Sequence, residues 1–180
     1  SLPPSSPPEP PPPPPPDSVQ CDGRVVLDLA RGCSTGAPLI NNLGGVGPDT
    51  AAAEEVRYGG VGVYDGVSFD LGVSATSPVA RVADQYTDGY SGCNEQIGMI
   101  AIQSGTYVDL RFRFEDSATR SAVTLPRFVF TVLDLDNGGE EEVVINGFTS
   151  YTLRTPLTNV VVTGPNKFRS CEMMTTCTYP

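Results

Sequence analysis

Val108-Asp109-Leu110-Arg111-Phe112-Arg113-Phe114-Glu115 is the stretch that decides the fold. Apolar and charged side chains alternate without a break. Period two is the signature of a half-buried β-strand with one apolar and one charged face. Downstream, Asp116 to Arg120 reads as a turn and Phe128 to Leu135 as the next strand. Asn137-Gly138-Gly139 marks another turn, and Glu142 to Ile145 returns from it as the second arm of a hairpin. Asn146-Gly147 turns again, before strands at Tyr151 to Leu153, Asn159 to Thr163 and around Phe168.

Upstream, Val67, Phe69, Leu71 and Val73 alternate with Ser68, Asp70 and Gly72, giving another clean strand. Val56 to Val63 carries three glycines and reads as a bulged strand. Ile97 to Ile102 is a short buried-type strand, and Val25, Leu27 and Leu29 belong to a first one. Thr50 can cap a single helical turn to Glu55, and residues 84–96 read as a long polar loop. About nine short strands separated by turn signals predict an all-β antiparallel sandwich of jelly-roll type. No fixed-period repeat is visible, which argues against a solenoid or propeller.

This domain covers residues 18–180, long enough to bury a core. Residues 1–17 differ in kind. Eleven of the first sixteen residues are proline, and Pro10 to Pro16 are consecutive. Each ring fixes φ and removes a backbone donor, so neither helix nor central strand can form there. The expected form is a polyproline II rod, roughly 43 Å long from Pro3 to Pro16 at ~3.1 Å per residue. No catalytic step needs such an arm; it suits a spacer, a glycan carrier or a handle. No N-x-Ser/Thr sequon is present, so glycans would be O-linked, on Ser5, Ser6 or hydroxylated Pro10, Pro11, Pro12, Pro13, Pro14, Pro15 and Pro16.

The formal net charge is −10, with scattered arginines and a single lysine, Lys167. An acidic chain with no basic stripe argues against nucleic acid or an anionic membrane as partner. No apolar run approaches the ~18 residues of a membrane span. Direct entry into the arm at Ser1 suits a mature or trimmed N-terminus. Cys21, Cys33, Cys93, Cys171 and Cys177 show no metal-ligand spacing, and the chain has no histidine. The better reading is an oxidising compartment with two disulfides and one odd cysteine. Cys171 and Cys177 can pair locally, and either Cys21 or Cys33 can reach Cys93.

Absence of histidine excludes Ser-His and Cys-His nucleophilic pairs. The acidic run Asp134 to Glu142 is the best candidate site. Asp134 and Asp136 share a strand face, and a turn brings Glu141 back beside them, a set of hard oxygens suited to calcium. A solvated acidic hairpin is the plainer reading. Glu115 with Asp116, or Asp134 with Asp136, offer the paired carboxylates of a glycosidase. Yet the chain has no tryptophan to serve as a sugar platform. Lys167 could also supply an internal isopeptide link, although a surface lysine is the default. The expectation is a protein without enzymatic activity.

The phrases VDLRFRFEDSAT (108–119), VTLPRFVFTVLDLDNG (123–138) and EEVVINGFTSYTL (141–153) resemble a β-sandwich module of secreted or fibre proteins of algae and other aquatic protists. The arm resembles hydroxyproline-rich tracts of algal wall and flagellar-hair (mastigoneme) glycoproteins. The resemblance implies an extracellular glycosylated fibril subunit, with O-linked glycans and copies of itself as partners. It implies no catalytic residues. Two functions follow. One is a structural subunit that polymerises head to tail through arm or strand docking. The other is a carbohydrate-binding module with a proline-rich linker, whose concave face would expose Tyr58, Tyr64, Tyr86 and Tyr90.

Overall fold

A computed structural model describes residues 25–80, 91–135, 141–153 and 159–170. The proline arm, its boundary at residue 17, and Cys21, Cys171 and Cys177 lie outside the described residues. The chain divides into two compact units, one ending at Val129 and one beginning at Phe130. Both are antiparallel β, and the only α-helix among the described residues is one turn.

In the first unit that helix, α1 (Leu29–Gly32), precedes strands β1 (Ile40–Asn41), β2 (Glu55–Tyr64), β3 (Val67–Ala75), β4 (Gly92–Asn94), β5 (Ile97–Met99) and β6 (Leu110–Asp116). The four-stranded sheet runs β1-β2-β3-β6, and β4 with β5 forms a separate hairpin. Its spine is the β2–β3 hairpin. Tyr64 and Val67 are partners, and Asp65 and Gly66 between them both take positive φ, 51° and 76°. Asp-Gly is the dipeptide that a two-residue hairpin turn of this kind favours.

The decisive stretch forms β6 as its periodicity demands, in register with β3 from Phe69↔Asp116 to Ala75↔Leu110. Its closing turn is also where the sequence put it. Asp116 Oδ1 accepts the amides of Ala118 and Thr119, at 2.7 and 2.8 Å. Val56, Tyr58, Val61, Phe69, Leu71 and Val73 form the core of this unit with Leu43 and Cys33. Phe114 packs edge-on against Phe69 on one side and Phe128 on the other.

The second unit is a three-stranded sheet, β7 (Glu142–Val144), β8 (Val160–Gly164) and β9 (Lys167–Ser170), in the order β7-β9-β8. Phe168 is its buried centre, with Tyr151 and Phe148 packed around it.

Several expected elements differ. Residues 25–29 make no strand: the Val25 amide donates to Arg127 O and that of Asp28 to Val61 O, and α1 then starts at Leu29. One bond to each of two segments is not the repeating series that makes a ladder. Thr50 to Glu55 gives a turn rather than a helix, with the Ala52 amide on Asp49 O and β2 starting at Glu55. Residues 128–135 do not pair with 142–145; β7 takes β9 as its neighbour instead. Tyr151 to Leu153 is likewise outside the sheets, and the Tyr151 ring packs on Phe148 and Phe168.

Candidate functional site

Alternation along β2 sends Val56 and Tyr58 to the core and Glu55 and Arg57 to the opposite face. The register places Arg57 beside Gly72 on β3, and Gly72 beside Arg113 on β6. A Cβ at Gly72 would lie 3.2 Å from Arg57 Nη2 and 3.4 Å from Glu55 Oε2. The missing side chain therefore lets Arg57 lie across β3 and reach Glu115 on β6.

Arg57 is only 1% exposed. Its Nε donates to Glu55 Oε1 at 2.9 Å, Nη1 to Asp70 Oδ2 at 3.3 Å, and Nη2 to Glu115 Oε2. Arg113 and Arg120 close the group from the solvent side, each reaching both Glu55 and Glu115. Three carboxylates thus meet three guanidiniums. A buried ion needs such partners, because losing water costs several kcal/mol per charge. Burial pushes the Glu55 carboxyl up, but hydrogen bonds and charge from Arg57 and Arg120 outweigh it, leaving it below 4.5. Burial opposes the Arg57 charge as well, and Glu55 and Glu115 more than restore it.

Asp70 joins this network to a cleft. The β2–β3 register shifts between Tyr58 and Gly62, forming a bulge. Gly60 sits in the bulge at φ 59° and turns its amide onto Asp70 Oδ1, at 2.9 Å. Ser117 Oγ, from the turn after β6, donates to the same oxygen. Over the bulge lies α1 with the loop that follows it. Gly32 lets α1 settle directly on β2, since a Cβ there would be 2.8 Å from Tyr58 Cβ. The Cys33–Cys93 disulfide, closing a separation of 60 residues, ties that loop to β4. The cleft left between loop and bulge holds about 290 Å³ and is bordered by Arg31, Ser34, Leu39, Ser68, Asp70 and Ser117. With its carboxylate already held by three donors, Asp70 acts here as an anchor and acceptor.

The expected site residues fare unevenly. Cys33 pairs with Cys93, one of the two reaches considered for Cys93. Asp134, at a left-handed φ of 62°, and Glu141 are described, whereas Asp136 lies outside the described residues. Among the described residues no group of three or more cysteines and carboxylates could hold a metal ion. Glu115 and Asp116 cannot act as a catalytic pair: Glu115 joins Arg57, while Asp116, on the other face of β6, caps the turn. Tyr58 is not part of an exposed sugar-binding face. It is 2% exposed, in the core, and its hydroxyl donates to Gly92 O at 2.7 Å. Tyr64 packs partly against the same core, and Tyr86 and Tyr90 lie outside the described residues. Lys167 pairs at the surface with Glu142, at 2.9 Å.

Sequence reading missed the Arg57 network and the cleft. Its signal was present: Glu55, Arg57, Asp70, Arg113 and Glu115 have matching parity on three strands that become neighbours. Only the strand order shows that these charges share a face. No helix among the described residues is long and apolar enough to cross a membrane. No family model matches this chain, and neither a curated protein nor a solved structure is significantly similar to it.

Proposed function

We propose that the chain is a structural subunit of an extracellular glycosylated filament, a β-sandwich of jelly-roll type assembling head to tail. The supporting observation is an extended apolar run outside the three sheets. Phe128, Val129, Val132 and Leu133 are 40%, 61%, 43% and 58% exposed. Singly exposed apolar residues are ordinary; here Phe128 and Val129 close the first unit and Val132 and Leu133 open the second, and exposed apolar residues grouped on either one favour a contact site there. An extended segment of this kind can add to a free sheet edge of a second copy. A head-to-tail contact that does not close builds a helical filament. The disulfide fits an oxidising, extracellular setting. The arm, with Pro10 to Pro16, Ser5 and Ser6, serves in this reading as the O-glycan carrier.

Negative-stain microscopy of native material tests the proposal, with filaments expected. Val129→Asp combined with Leu133→Asp removes them, while the unfolding midpoint of the subunit stays where it was. Deleting residues 1–17 weakens assembly or strips sugar, and intact mass of the native chain exceeds 19.0 kDa. Monodisperse native particles, or filaments indifferent to the paired substitutions, would remove the proposal.

A further inference from the structure

The cleft over the β2 bulge has a lining of specific chemistry. Among the described residues the guanidinium of Arg31 makes no hydrogen bond or ion pair. Ser34 brings a hydroxyl that can both donate and accept, Ser117 and Ser68, whose protons are directed to Asp70 and Ser117, bring acceptor oxygens, and Asp70 brings a fixed acceptor. Leu39 covers the bulge from one side: a Cβ at Gly59 would lie 2.4 Å from Leu39 Cδ1. The side of Gly60 is open, with nothing within 4 Å of a Cβ placed there. A glycine bulge of this kind permits close approach of a ligand to the backbone.

We propose that this cleft binds one hydroxyl-rich ring, a single residue of a glycan. A volume of about 290 Å³ stands at the small end of ligand pockets, suited to one ring and not to an oligosaccharide. Sugar hydroxyls are donors and acceptors at once, matching a border that mixes Arg31 and serines with Asp70. The C–H face of the ring lies against Leu39. A free inorganic anion fits less well, because it would meet the Asp70 carboxylate on a chain of net charge −10. The site needs no aromatic platform and is independent of Tyr58.

The test is an amide-detected NMR titration of the full chain with a panel of neutral methyl pyranosides, with sodium sulfate and phosphate run in parallel. Saturable millimolar shifts are expected at Ser34, Gly59, Gly60 and Ser117 with at least one sugar. Arg31→Gln, on an exposed side chain, weakens that binding about tenfold, the worth of one charge-assisted hydrogen bond. Its spectrum elsewhere and its unfolding midpoint remain those of the parent. Three results overturn the proposal: no saturable shifts at these four amides, shifts with sulfate or phosphate only, or an Arg31→Gln titration indistinguishable from the parent's.

Discussion

Arg57 lies across Gly72 with carboxylates on three sides, so its removal exposes their mutual repulsion. Arg57→Leu leaves Glu55, Asp70 and Glu115 without their common partner, and breaking a buried pair in this way costs about 3–5 kcal/mol. Urea unfolding measures it; a loss below ~1 kcal/mol would mean that the network is no better than a surface pair. Acid attacks the same group. The Glu55 carboxyl sits below 4.5 when folded, so its contribution is complete above that value and is lost as pH falls through the folded one. Stability therefore declines below about pH 4.5, and Asp116, lowered by the Thr119 and Ala118 amides, adds to the decline. Glu55→Gln flattens this acid limb; an unchanged slope would assign it to other carboxylates. Tyr58 acts at the opposite end. Burial raises its hydroxyl above 10, so its contribution holds below pH 10 and fades as pH climbs beyond. Tyr58→Phe removes that alkaline loss, read as unfolding midpoint against pH.

At the scale of elements, the bulge in β2 and the loop above it depend on two local devices. Gly60 at φ 59° has open space for a side chain but the wrong backbone for one. Gly60→Ala costs about 1–2 kcal/mol through left-handed strain alone. If it is neutral in urea unfolding, the bulge has another conformation in solution. The Cys33–Cys93 bridge closes 60 residues, and a loop of that length is worth about 4 kcal/mol in the chain-entropy account. The paired Cys33→Ser and Cys93→Ser variant should lose most of that, and a parent that shows no change on reduction would contradict it. The two strands with strict alternation, β3 and β6, were legible because each has one apolar and one polar face. Residues 128–135 have the composition of a strand, yet composition cannot supply a neighbour. The expected return strand, Glu142 to Ile145, is β7 over Glu142–Val144 and pairs with β9, where Val143 meets Phe168.

For the molecule as a whole, the arm and the folded units should separate cleanly by experiment. A segment in which eleven of sixteen residues are proline has few backbone donors to give to a neighbouring sheet. Deleting residues 1–17 therefore leaves the thermal midpoint within about 2 °C of the parent, well under the ~4–8 °C that 1 kcal/mol produces in a small domain. A larger fall, measured by circular dichroism, would mean that the arm packs on the folded chain. The division at Val129 and Phe130 was not legible in the sequence. Turn signals and alternation run through it without interruption, since both are local and a boundary between packed units is not.

Local interactions along the chain were enough for the antiparallel β class, the decisive strand β6 and its turn, the bulge in β2 and a disulfide at Cys93. Each follows from interactions within a few residues: alternation, turn chemistry, glycine freedom and thiol usage. Tertiary structure alone decided that β3 lies between β2 and β6. That order set Arg57 against Glu55, Asp70 and Glu115, put Tyr58 inside and left a polar cleft at the bulge. Charges read one strand at a time look solvated. They become a buried network only when three strands bring matching faces together, which is a non-local fact.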